Sequence, residues 1–143
     1  MASTRSRPAS TRPIRTKRAG AAANPERGEH ALTLAGVTYR LRPSFEAVQA
    51  LEDDLGLSLL EMLRKANSGA LKLAEKGVIA AEMIRAGAPD GDEGDLIRAV
   101  SAERIAELIY EEGGGAVDAV LVLLLADAQL GGRTTAGEAK PAA

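Results

Sequence analysis

The hydrophobic period of this chain changes once, at a proline, and that change limits the folds open to it. His30-Ala31-Leu32-Thr33-Leu34 alternates in the manner of a strand, an Ala35-Gly36 turn follows, and Val37 to Arg42 alternates again. Pro43 closes this pair, and from Ser44 onward apolar residues recur at helical spacing. A short hairpin leading directly into helices predicts a mainly α (α+β) domain. Two strands alone are marginal in water, so the hairpin has to pack on the helices or pair with another chain. Its open edges make a homo-oligomer an expectation.

The predicted bundle has four to five helices. Ser44 caps a helix reaching Leu55, with Phe45, Val48, Leu51 and Leu55 on one stripe and Gly56 beyond its end. Ser58 and Glu61 form a capping box for a second helix, which carries Leu59, Met62, Leu63 and Ala66 inward. A third helix, 70–86, shows a small-residue stripe of Ala70, Ala74, Gly77, Val78, Ala81 and Ile84. An acidic, glycine-rich loop over Asp90–Asp95 follows, with a short helix from Asp95 to Val100 as an optional element outside that count. Ser101 then caps a helix with Ile105, Leu108 and Ile109 inside, and a last helix spans 116–130. The domain is read as 24–130, between a structureless basic arm at 1–23 and a frayed tail at 131–143.

Only Phe45, Tyr39 and Tyr110 are aromatic and Cys is absent, so the core is aliphatic and neither disulfides nor thiolate metal sites are available. The first twenty residues hold six basic side chains and no acid, which leaves 12 basic against 20 acidic residues in the rest. The arm lacks the aromatic platforms of a single-strand binder, so nucleic acid is an unfavoured partner and any binding would be salt-sensitive and non-specific. The longest apolar run, Ala119–Ala126, is too short to span a membrane.

Chemistry is sparse. The Asp90 loop fails the calcium-loop pattern, with Gly94 and Ser101 at its fifth and twelfth positions. Gly113-Gly114-Gly115 lacks the Lys-Ser/Thr of a phosphate loop and is read as a break between helices. His30, the only histidine, is read as a solvent-facing strand residue, and the Asp53-Asp54 and Glu111-Glu112 pairs as solubilising surface. No catalytic residue, metal ligand or cofactor is expected, and the chain is not read as an enzyme. The last helix is apolar nearly all round and is read first as the enclosed core helix. The alternative is an open groove or oligomer contact, with Val122 and Leu125 on the face 118-122-125-129 as partner-binding candidates.

The order of these signals resembles a known family. Asn24-Pro25 and Arg27-Gly28-Glu29 precede a strand pair with a central Gly36. Leu51-Glu52 and Leu55-Gly56 end a helix, and a segment LKLAEKGVIAAEMIRAG and an Ala/Leu-rich helix after a glycine-rich break complete the order. The pattern, over about 24–130, is similar to the tail assembly chaperones of gene transfer agents, also labelled tail tube proteins; the basic leader departs from it. The resemblance implies a non-enzymatic assembly factor in the bacterial host cytoplasm. It would bind the tape-measure protein and other tail proteins during assembly and be absent from the finished particle. Rival readings are a structural tail tube or tail-completion component and a nucleic-acid-binding regulator acting through the arm.

Overall fold

A two-residue turn sets the register of the sheet. The computed structural model describes residues 17–19, 22–24 and 28–131, and of these 17–19 through the backbone alone. Its strands are β1 (Lys17–Ala19), β2 (His30–Leu34) and β3 (Val37–Leu41). Ala35 (φ 51°) and Gly36 (φ 78°) both adopt the left-handed conformation, which matches the twist of the flanking strands. Leu34 therefore opposes Val37, Leu32 opposes Tyr39 and His30 opposes Leu41. Leu32, Leu34 and Leu41 point into the core, while the Thr33 and Thr38 hydroxyls meet at 2.7 Å on the other face.

The hairpin leaves the second edge of β3 open, and β1 pairs there in parallel, giving the order β1-β3-β2. These three residues belong to the segment read as an arm. The rest of that reading, at 1–16, 20 and 21, lies outside the described residues, as does the tail at 132–143.

Among the described residues six helices follow, so the protein is mainly α: α1 (Phe45–Leu55), α2 (Leu59–Asn67), α3 (Leu73–Gly87), α4 (Asp92–Arg98), α5 (Ala102–Glu112) and α6 (Gly114–Gln129). The caps act as the sequence specifies. Ser44 Oγ accepts from the Ala47 N–H at 3.1 Å, Ser101 Oγ from Arg104, and Ser58 with Glu61 closes a reciprocal box. Gly56, at φ 67°, returns its N–H to Glu52.

Several expectations shift. Phe45 is exposed, because as the first residue of α1 it lies outside the stripe that buries Ala47 and Leu51 and packs Val48 and Leu55. Helix α3 begins three residues later than expected and leaves Ala70 and Ala74 exposed. Lys72 takes the capping position, where its N–H donates to Glu75 Oε1 at 2.8 Å. Helix α4 starts at Asp92 rather than Asp95, so much of the acidic loop is helical. Asp92, Glu93 and Asp95 occupy its first turn, where the helix dipole favours negative charge.

The central helix is α3, not the last one. Gly77, Ile79, Ala80, Ala81, Met83, Ile84 and Gly87 bury it around most of its circumference, against α1, α5 and β3. Small residues make this possible. A Cβ on Gly77 would sit 2.7 Å from the Ala102 carbonyl oxygen and Ala106 Cβ, so α5 touches α3 backbone to backbone. Gly87 presses on the Arg40 carbonyl of β3, and Arg40 Nε donates to Gly87 O at 2.7 Å. The Arg42 N–H donates to Met83 O, which fastens the end of β3 to the same helix.

Candidate functional site

With α3 in the centre, α6 lies on the outside and exposes one face. Val117, Leu121, Leu124 and Leu125 are buried, and Val120 packs beside them. On the opposite side Ala116, Ala119, Leu123, Ala126 and Leu130 recur at alternating steps of three and four, which keeps them in one row. Leu123 is 56% and Leu130 70% exposed, large values for leucine, while Ala126 is half-buried. No charged residue interrupts this row. The two carboxylates of the helix stand at its margins and face other elements. Asp118 Oδ1 lies 2.8 Å from Lys76 Nζ of α3, an ion pair without a directed hydrogen bond to that oxygen. Asp127 Oδ2 lies 2.8 Å from His30 Nε2 of β2.

The two partner-binding candidates are placed differently. Leu125 is fully buried and is a core residue of the single chain; Val122 is half-buried and packs against the core. The outward row lies to one side of the face that the sequence suggested. The sequence does not single out Leu123 and Leu130, because a helix apolar all round carries almost no directional signal. The three-and-four spacing from Ala116 to Leu130 is the signal that could have found them. His30 is likewise not solvent-facing: its side chain is mostly buried and clamps the hairpin to α6.

A second surface lies between α3 and α5. Leu73, Ala106 and Tyr110 supply the apolar lining of an open groove of about 390 Å³, with Glu103, Arg104, Glu107 and Glu111 as its polar lining. Tyr110 is 75% and Leu73 41% exposed.

The remaining polar contacts join elements. Glu75 accepts from the Lys72 N–H and from Lys65 Nζ of α2, and the Lys72 N–H, the larger influence, holds its carboxyl below the usual range. Arg85 donates to the Arg98 and Val100 carbonyls, binding the α4–α5 joint to α3. Glu29 is buried and accepts from the Asn24 N–H at 3.0 Å. Among the described residues, no group of three or more His, Asp or Glu side chains is placed to hold a metal ion, and no helix is long and apolar enough to cross a membrane.

Hairpin, central small-residue helix and outward apolar helix define a small, mainly α (α+β) module with an exposed apolar face on its last helix. Residues 27–131 match the family model described as "Phage tail tube protein, GTA-gp10", and the chain belongs to this gene-transfer-agent phage tail family. No curated protein and no solved structure matches the chain.

Proposed function

We propose that the protein is a tail assembly chaperone, acting without catalysis, which binds the tape-measure protein in the bacterial cytoplasm while the tail is built. The observation that carries this reading is the charge-free row Ala116, Ala119, Leu123, Ala126 and Leu130 on the outside of α6. Helix-in-groove and helix-on-helix recognition use apolar residues at this spacing. A tape measure is a long helical protein whose apolar stripes would otherwise self-associate. An acidic body keeps such a complex soluble, since residues beyond the first twenty hold 12 basic against 20 acidic side chains.

Co-expression with the tape-measure protein encoded nearby tests the reading. The expected result is a soluble tape measure that co-purifies with this chain, and loss of both effects in a Leu123→Glu, Leu130→Glu variant that remains folded. Recovery of the protein as an abundant component of purified particles would defeat it.

That second outcome defines the rival, a structural tail tube component, which the family description favours. Against it stands the small share of strand. Among the described residues strand is limited to Lys17–Ala19, His30–Leu34 and Val37–Leu41, whereas a tube subunit normally contains much more.

A further inference from the structure

The groove between α3 and α5 has a chemistry of its own, independent of the α6 row. Glu103, Glu107 and Glu111 follow one another at four-residue steps and share a face of α5. Like charges at this spacing oppose the helix that carries them. Among the described residues one cation answers them: Arg104 Nη1 lies 3.2 Å from Glu107 Oε1, in a pair more than half exposed at both ends and therefore weak. Among the described residues Glu103 and Glu111 have no ion-pair partner. Beside this ladder Leu73 and Tyr110 expose apolar area that the fold does not cover. A tyrosine ring face also attracts a cation.

We propose that this groove docks a cationic amphipathic helix of a partner protein. Its apolar residues would cover Leu73, Ala106 and Tyr110, and Lys or Arg at four-residue spacing would face Glu103, Glu107 and Glu111. Charge complementarity selects this occupant. A nucleic acid is repelled by the ladder, and a second copy brings another acidic body. The chain's own basic leader supplies charge but only one large apolar residue, Ile14, between Arg5 and Arg18, so it matches half of the surface.

The probe is a synthetic helix of about 18 residues with a leucine stripe flanked by lysines, compared with the same peptide carrying glutamates for lysines. Binding to the full chain is followed by fluorescence anisotropy at about 0.05 and 0.3 M salt. The lysine peptide is expected to bind at least about tenfold more tightly than the glutamate peptide, and more weakly at the higher salt. Glu103→Lys with Glu111→Lys, and separately Tyr110→Ala, should each weaken it by about fivefold or more, with the circular dichroism spectrum unchanged. Leu123→Glu on α6 should leave it unaltered, which separates this result from the tape-measure test. Equal affinity for both peptides, or indifference to the groove variants, overturns the proposal. A tenfold gain in affinity on removing residues 1–16 would also overturn it, by making the leader the resident occupant.

Discussion

His30 on β2 and Asp127 on α6, 97 residues apart in sequence, meet at 2.8 Å with both side chains mostly buried. This contact joins the N-terminal hairpin to the last helix and fixes which side of α6 turns outward. Removing either partner takes this one contact from a mostly buried polar side chain. A double-mutant cycle over His30→Ala and Asp127→Ala should give a coupling of about 0.5–2 kcal/mol in urea unfolding. Additive effects of the two changes would show that the contact adds nothing to stability.

Close approach at Gly77 predicts a second effect. The methyl of Gly77→Ala would meet the Ala102 carbonyl and Ala106 Cβ at 2.7 Å, so α5 has to move off α3. The expected loss is about 1–3 kcal/mol. Ala106→Gly should restore only part of it, because the backbone carbonyl stays. Gly87→Ala, whose methyl would meet only backbone atoms, those of Arg40 and Arg42, should cost more than Gly77→Ala. Chemical denaturation of the three variants checks this order.

The hairpin turn holds Ala35 at φ 51°, where alanine is strained and asparagine is at ease. Ala35→Asn keeps the backbone N–H that donates to Glu112 Oε1 and should stabilise the fold by about 0.5–1 kcal/mol. A thermal midpoint that falls instead of rising would contradict this account of the turn.

Acid should weaken the fold through two helix caps. Glu75 and Glu61 are both held below the ordinary carboxyl value of 4.5, mainly by the backbone N–H groups of Lys72 and Ser58. A carboxyl lowered in the folded state contributes stability that is present above its unfolded value and is lost as pH falls through the folded one. Urea midpoints should therefore drop as pH decreases below 4.5. Glu75→Gln should be less stable at neutral pH and show a smaller acid loss; an acid loss equal to that of the parent would remove Glu75 from the explanation.

Much of the fold is legible in the sequence because its determinants are local. Alternation, the Ala35-Gly36 turn, Pro43 and the serines at 44, 58 and 101 act within a few residues, and hairpin, helix order and caps follow from them. Phe45 differs from expectation because the first residue of α1 lies off the face that the helix buries, and Ala70 because it precedes the α3 end that Lys72 caps. Asp92–Asp95 has the composition of a loop because glycine and aspartate are poor helix formers, whereas the helix dipole rewards acids in the first turn.

The site depended on a different kind of information. The sequence determined that α6 is greasy all round and that α3 is rich in Gly and Ala, but not which of the two the other elements enclose. Tertiary packing decided that: only backbones flanked by Gly77, Ala80, Ala81 and Gly87 let α5 and β3 approach closely enough to surround one helix, so α3 took the centre. Helix α6, too bulky for such close approach, was left outside. Lys76 and His30 then drew its two carboxylates toward the fold and left Leu123 and Leu130 facing water.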